Sequence, residues 1–375
     1  MREAIRLARR GAGRPSSEPL AGAVVVENDR AAGRAYAGKK GADAAIIAAL
    51  DESRLPVGRA TIYTNICPCL DASNAEECIS RLIKNRPARI LIGTSCNSGR
   101  QSESEGEPSS TPDSDCALEP LREAGIEVAT GLCEEECREA NEIYFKYRAT
   151  GQPFITVKFA ETLDGRIATA TGDSQWISSP ASLRLAHQLR REHDGIMVGI
   201  GTVIADDPQL TVRLVDGRDP LRIIIDSRLR IPDGARVLAG GAARHTLIAA
   251  TASIDAGRAD ELESLGAEVL RLSSSDNASV VDLIELLDLL GRRGIASVLV
   301  EGGAGIITSL LSARRVDRMI VAIAPKIIGR GTEAVGDLGI TRLGEAITFS
   351  SVKTRRLGPD IIFDGRLPLV GVGNV

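Results

Sequence analysis

The chain has 375 residues, 43% of them apolar and 26% charged, which is enough for two soluble domains with sizeable cores. A net charge of −4 and a pI of about 5.7 give no electrostatic basis for nucleic acid or an acidic membrane as the main partner. The longest apolar run, Ala44–Leu50, is far short of the ~20 residues that span a bilayer.

The first residues are Arg-rich and amphipathic in the manner of a transit peptide. However, Glu3 interrupts them, and Ala4, Ile5, Leu7 and Ala8 share one face of a folded helix over Arg2–Arg10. A strand is expected at Ala21–Val26, an extended piece at Gly33–Tyr36 and a helix at Ala42–Glu52. Strand Ala60–Thr64, helix Ala75–Lys84 and strand Arg89–Gly93 follow. Ser98–Asp115 holds no large apolar side chain and reads as a mobile surface loop. A helix at Leu118–Ala124, a strand at Glu127–Thr130 and a single helix at Glu134–Tyr147 close the first half. TGQPF then breaks the pattern, so the domain boundary falls near residue 150.

Strand–helix alternation resumes with strands at Ile155–Lys158, Gly195–Gly199, Arg222–Asp226 and Thr246–Ala249, and a helix at Ala259–Leu265. The strand Ser297–Glu301 runs into Gly302-Gly303 and a helix beginning near Gly305. Strands at Arg318–Ala324, near Val352–Leu357 and at Asp360–Asp364 complete the chain. The abundance of glycine, 38 residues, suits an α/β architecture with many tight turns. Seven irregularly spaced cysteines do not look like a secreted disulfide framework, which makes a cytoplasmic location the expectation.

Two features carry chemistry on their own terms. Ser297–Glu301 delivers a carboxylate at the C-terminal end of a buried strand, where α/β folds place ligands. Gly303, Ala304 and Gly305 then open a helix whose exposed N–H groups suit a cofactor pyrophosphate; a plain strand–helix turn is the alternative. Trp176 is the chain's single tryptophan, a type more often found in a core than against a ligand.

The segments VKFAETLDGRIATATGDSQWISS, GIGTVIADDPQLTVR and VLVEGGAGIITSLL, in that order, resemble the reductase half of the bifunctional pyrimidine deaminase/pyrimidine reductase family of riboflavin biosynthesis. LAGAVVVENDRAAGRAYAGKKGADAAIIAAL, residues Leu20–Leu50, and CPCLDASNAEEC resemble that family's deaminase half. The resemblance implies a cytidine-deaminase-like αβα domain over 1–150 and a dihydrofolate-reductase-like α/β reductase domain over 151–375.

In the deaminase half, zinc is held by one imidazole and two thiolates, while a glutamate shuttles protons. Here the His-Ala-Glu triplet falls on Asp43-Ala44-Ala45, and no histidine precedes His187. The Pro-Cys…Cys segment remains as Pro68-Cys69 and Cys78, with the family's eight-residue gap. Asp43, Cys69 and Cys78 are thus degenerate zinc positions and zinc is not expected. A structural metal on Cys69, Cys78 and either Asp43 or Cys67 is the alternative. Since Ala45 cannot move protons, loss of deamination is expected.

In the reductase half, the resemblance implies NADPH as cofactor. Its contacts would be Ala160, Trp176, Thr202, Asp206, Ser227, Gly303, Ala304, Gly305, Ile306, Ile307, Thr308 and Ser309. The substrate would meet Lys158, Ser174, Arg190, Leu210, Arg213 and Glu301. Glu301 is expected on ribose hydroxyls, and Arg190 and Arg213 on the ribose 5-phosphate; Lys158 and Glu301 are the catalytic candidates. His187, His193 and His245 match nothing and read as helix or surface residues. The implied activity is reduction of 5-amino-6-(5-phosphoribosylamino)uracil to its phosphoribitylamino product, in a homo-oligomer, expected to be a dimer. The rivals are a bifunctional enzyme, a non-catalytic protein with both sites decayed, and a folate-type reductase.

Overall fold

The structure, a computed structural model, describes residues 1–37, 43–53, 58–68, 75–94, 118–275 and 280–368. The stretch expected to be a mobile loop, Ser98–Asp115, lies outside the described residues. Chain contacts divide the molecule into two units, Met1–Ala149 and Thr150–Val375.

The first unit contains α1 (Arg2–Ala8), β1 (Gly22–Glu27), β2 (Arg30–Tyr36), α2 (Asp43–Ser53), β3 (Thr61–Ile66), α3 (Ala75–Asn85) and β4 (Arg89–Thr94). It continues with α4 (Glu119–Glu123), β5 (Glu127–Thr130), α5 (Glu134–Ala140) and α6 (Glu142–Thr150). The sheet order is β2-β1-β3-β4-β5, antiparallel around β1 and parallel from β3 to β5. Alternation along β1 makes three layers: Ala23 and Val25 face Ala45, Ile46 and Ala49 of α2, while Val24 packs with Ala4 and Leu7 of α1. Gly22 permits this close approach, because a Cβ there would overlap the Ala4 carbonyl oxygen.

The single helix expected over Glu134–Tyr147 is two helices. Asn141 separates them, accepting from Leu20 N at 2.7 Å and donating to Leu20 O at 3.1 Å. A side chain serving the backbone of another segment has replaced helical continuity at this position.

The second unit begins with β6 (Phe154–Thr162), β7 (Arg166–Thr169), α7 (Pro180–Glu192), β8 (Gly195–Gly199), α8 (Ile200–Asp206) and β9 (Leu221–Ile225). Then come β10 (Thr246–Thr251), α9 (Ala256–Ser264), β11 (Glu268–Leu272), β12 (Ser274–Ser275), β13 (Val280–Val281) and α10 (Leu283–Arg292). It ends with β14 (Ser297–Val300), α11 (Ala304–Ser312), β15 (Arg318–Ala324), β16 (Gly331–Glu333), β17 (Ser351–Leu357) and β18 (Asp360–Arg366).

Nine strands form one sheet in the order β11-β10-β9-β8-β14-β6-β15-β18-β17. The pairs from β11 to β15 are parallel, and the last two are antiparallel. Parallel strands bury both faces, so their sequences are continuous apolar runs. Ile155, Val157, Met197, Val298 and Val300 face α10 and α11, whereas Ile196, Val198, Ile224 and Ile248 face α9. Leu299 and Ile320 meet Leu189 of α7 on that same second face.

Lys158 is interior to β6 rather than at its end, because the strand runs on to Thr162 in register with β15. Asp360 holds the start of α7, accepting from Ser179 N at 2.8 Å, Ser179 Oγ at 2.7 Å and Ser182 Oγ at 2.5 Å. Among the described residues no helix is long and apolar enough to cross a membrane.

Candidate active site

The site forms where β8 and β14 end, beside the middle of β6 and beneath α7. Glu301 follows directly on β14 and is tied to β8 by its N–H, which donates to Met197 O at 3.1 Å. Val300 pairs with Val157, so Glu301 and Lys158 occupy adjoining positions on neighbouring parallel strands. Alternation puts both on the sheet face that α7 covers, the face of Leu299 and Thr156.

Arg190, on the inner face of α7, makes a two-point ion pair with Glu301: Nε donates to Oε1 at 3.0 Å and Nη2 to Oε2 at 2.6 Å. The third edge of the guanidinium, Nη1, donates to Thr211 O at 3.2 Å. Arg190 is only 8% exposed. Arg190 was expected to join Arg213 on the ribose 5-phosphate; in this structure its fork bonds Glu301 and Thr211 O.

Burial alone would raise the Glu301 carboxyl, but the charge and hydrogen bonds of Arg190, with Lys158 beyond, hold it below the usual carboxylate range. Burial pushes Lys158 down; the Glu301 charge opposes this, and Arg190 adds to it. The result is one carboxylate fixed by Arg190, with the Lys158 amine, whose affinity for its proton burial weakens, on the adjoining strand.

The loop that carries Leu210 and Arg213 is pinned residue by residue. Arg222, itself 4% exposed, donates to Gln209 O at 3.0 Å. Leu210 is buried with φ of 54°, a left-handed conformation that a branched side chain adopts only under constraint. Asp219 accepts from Val212 N at 2.7 Å, and His187 Nδ1 accepts from Arg213 N at 3.1 Å. The Arg213 side chain is exposed.

Several of the residues expected on the cofactor lie at the start of α11, which follows Glu301 in the chain. Gly303 caps α11 in an extended conformation without a side-chain hydrogen bond, leaving the first N–H groups of the helix open. A Cβ at Gly305 would meet nothing, and one at Gly303 only Thr202 Oγ1 at 3.9 Å, which sets Thr202 beside the helix start. Gly305 and Ser309, one turn apart, are exposed on one face of α11. Ile306 packs beneath Gly199 and Gly302. Thr308 Oγ1 donates to Ala304 O and accepts from Gly336 N, both at 2.7 Å. Ile307 is corrected: it is entirely buried in the core with Val300 and Leu310, so its side chain is turned away from any ligand.

Trp176 is 63% exposed, which removes the core reading, and its carbonyl accepts from Lys326 Nζ at 2.6 Å. Ser174 and Ala160 are half-buried, and Asp206 is exposed at the end of α8. Ser227, just past β9, accepts from Val281 N at 3.2 Å.

His187 lies on α7, a helix residue as expected, but with no exposed surface; His245 is a surface residue. His193 is corrected: it follows α7 and is 2% exposed, so it is neither a helix nor a surface residue. Sequence reasoning missed His187 because no motif surrounds it. The one available signal was its spacing, one turn before Arg190 on the same helical face.

In the first unit, Asp43 opens α2, and Ala45 is buried against the sheet. Cys67 and Cys78 are buried. Cys69 and the side chain of Asp43 lie outside the described residues. Among the described residues no group of three or more His, Cys, Asp or Glu is placed to hold a metal ion.

Residues 153–363 match the family described as the RibD C-terminal domain. The chain is 36% identical to the riboflavin biosynthesis protein RibD of Aquifex aeolicus, over 96% of each chain. The chain belongs to the RibD family. Its family's C-terminal reductase domain therefore coincides with the nine-stranded unit that carries Glu301, Arg190 and the α11 helix start. RibD of Escherichia coli is 31% identical over 96% of each chain. Among solved structures, Acinetobacter baumannii RibD superposes with a TM-score of 0.78 at 27% identity, over 98% of both chains. A Thermotoga maritima diaminohydroxyphosphoribosylaminopyrimidine deaminase/5-amino-6-(5-phosphoribosylamino)uracil reductase superposes with a TM-score of 0.77 at 28% identity, over 98% of this chain and 97% of that one.

Proposed function

We propose that this chain reduces 5-amino-6-(5-phosphoribosylamino)uracil to its phosphoribitylamino product with NADPH, and that its N-terminal unit no longer deaminates. The observation that carries the reading is the Glu301–Arg190 pair beside Lys158, flanked by the open start of α11 and by the pinned loop that ends in exposed Arg213.

The donor set fits the cofactor. The open N–H groups at Ala304 and Gly305 suit a pyrophosphate, and the glycines let it approach the backbone. Thr202 lies beside that helix start and Ser309 is exposed one turn on from Gly305; Trp176, Asp206 and Ser227 are proposed to complete the cofactor's contacts. Bound NADPH supplies the hydride.

This chain's own residues supply position and charge. Glu301, fixed at two points by Arg190, accepts hydrogen bonds from ribose hydroxyls and favours the positive charge that develops near the sugar's C1 as the ring opens. Lys158 stands on the adjoining strand, within reach of the same sugar. Arg213 receives the 5-phosphate, and Ser174 and the Leu210 backbone fix the remaining edge of the substrate.

The two activities in the name of the Thermotoga relative favour a second reading, a bifunctional enzyme. The buried methyl group of Ala45, where the family's chemistry needs a proton shuttle, argues against it. One experiment separates the two: purified chain is given the deaminated and the undeaminated pyrimidine in turn, with NADPH, and both NADPH oxidation and ammonia are followed. The proposal expects oxidation with the deaminated substrate and no ammonia from the other.

A further inference from the structure

His187 is buried, titratable and unused by the reaction described above. Its Nδ1 accepts the backbone N–H of Arg213 at 3.1 Å, which places the proton of a neutral ring on Nε2. Nε2 is itself buried and has no hydrogen-bond partner among the described residues. One turn along α7, Arg190 donates to Thr211 O. The inner face of the helix thus reads the loop backbone at alternate residues, Thr211 and Arg213.

From these contacts we infer that His187 is a positioning residue for Arg213: its Nδ1 lone pair fixes the Arg213 peptide, and so the point from which that guanidinium reaches a phosphate ester. The inference rests on the reading in which Arg213 receives the substrate's phosphate. It also explains why an imidazole stands here. The bond needs an acceptor at the δ position of a short side chain, and the ring fills the space behind it.

The surrounding charges keep that acceptor available. Burial lowers His187, Arg190 and Arg213 lower it further, Lys158 adds to them and Glu301 alone opposes, so that it titrates at about 4. A protonated ring would turn an N–H toward the Arg213 N–H and add a third cation beside the two arginines.

The test uses the full-length chain as wild type, His187→Asn, His187→Leu, Arg213→Gln and the His187→Leu/Arg213→Gln pair. Asn retains an acceptor oxygen at the δ position and lacks the ε donor; Leu retains volume alone. Steady-state kinetics and calorimetric titration with ribose 5-phosphate are measured for each, with melting temperature and NADPH affinity as controls. His187→Leu should weaken ribose 5-phosphate binding and raise KM for the pyrimidine by about tenfold, with kcat and NADPH affinity little changed. His187→Asn should stay within about threefold of wild type, the rescue a shared acceptor geometry predicts. In the Arg213→Gln background, His187→Leu should add less than about twofold, because a residue acting through Arg213 has nothing left to act on.

Full additivity in the pair, equal losses in Asn and Leu, or a lower melting temperature with unchanged KM and ribose 5-phosphate affinity would each overturn the inference. Should wild type fail to reduce the pyrimidine, the functional reading fails and the ribose 5-phosphate titrations judge His187 by themselves. Absence of ribose 5-phosphate binding to wild type overturns the inference.

Discussion

Arg190 and Glu301, 111 positions apart in the chain, meet in a parallel two-point ion pair at 3.0 and 2.6 Å, each with little more than a tenth of its side chain exposed. Fork-to-fork pairing fixes the plane of a carboxylate as well as its position. Glu301 is thereby oriented before any ligand arrives, which is what a group that stabilises developing charge requires.

Glu301→Gln tests that role. The amide keeps one acceptor oxygen but loses the charge, leaving Arg190 buried and under-compensated. Turnover should fall by about 10²-fold or more, and stability should drop by about 1–3 kcal/mol. NADPH binding should persist, because the α11 N–H groups are untouched. Kinetics per folded molecule, beside a urea titration, separates the two effects; near-normal kcat/KM would remove Glu301 from the catalytic centre.

Arg190→Lys keeps the charge and loses the fork. An ammonium cannot span both Glu301 oxygens and Thr211 O together. Activity should fall by about tenfold or more, since one charge-assisted contact is lost, with a smaller stability loss than Arg190→Met, which strands the Glu301 carboxylate. Equal activity in Arg190→Lys and wild type would show that the orientation of Glu301 does not matter.

Gly303→Ala separates folding from cofactor binding. Gly303 has φ of −72°, and its added Cβ would meet only Thr202 Oγ1 at 3.9 Å, so the fold accommodates alanine. Stability should stay within about 1 kcal/mol. NADPH affinity should fall by about tenfold, because the methyl group stands where the backbone must be approached. Fluorescence titration of NADPH reads this directly; unchanged affinity would move the cofactor away from α11.

Acid should weaken the fold before it weakens most carboxylates. His193 Nδ1 donates to Leu189 O at 2.7 Å, and its Nε2 lies 2.9 Å from Thr156 Oγ1. Burial is the main cause of its titration at about 4, against 6.5 for an ordinary histidine. The unfolded chain therefore binds the proton first as pH falls, so this stability is complete above pH 6.5 and is lost between 6.5 and 4. The loss is about 3 kcal/mol. His187 titrates in the same window. Urea midpoints at pH 7.5 and 5.0 check the direction, and His193→Gln should flatten the difference.

Much of the fold was legible because parallel strands are short apolar runs between turns. Gly195–Gly199 and Arg318–Ala324 appear in the structure with the bounds read from sequence. Helix α7 was not legible, because two of its inward positions are His187 and Arg190, which interrupt the apolar stripe. Helix α10 carries an ordinary signal, the Asp282 cap and the Leu286, Leu287 and Leu290 stripe, which the reading of strands passed over.

The site divides the same way. Glu301 and the α11 glycines were readable because a strand end and a helix start are local features. The Arg190–Glu301 pair and the His187–Arg213 bond join distant segments, and only tertiary structure brings them together. Ile307 failed because position within a motif does not say which helical face a side chain takes; α11 turns it into the core.

The central claim is tested most directly by following NADPH absorbance while the full-length chain meets authentic 5-amino-6-(5-phosphoribosylamino)uracil. The account predicts stoichiometric oxidation of NADPH with formation of the phosphoribitylamino product, abolished or reduced about 10²-fold by Glu301→Gln. A folded wild-type chain that binds both compounds and oxidises no NADPH would contradict it.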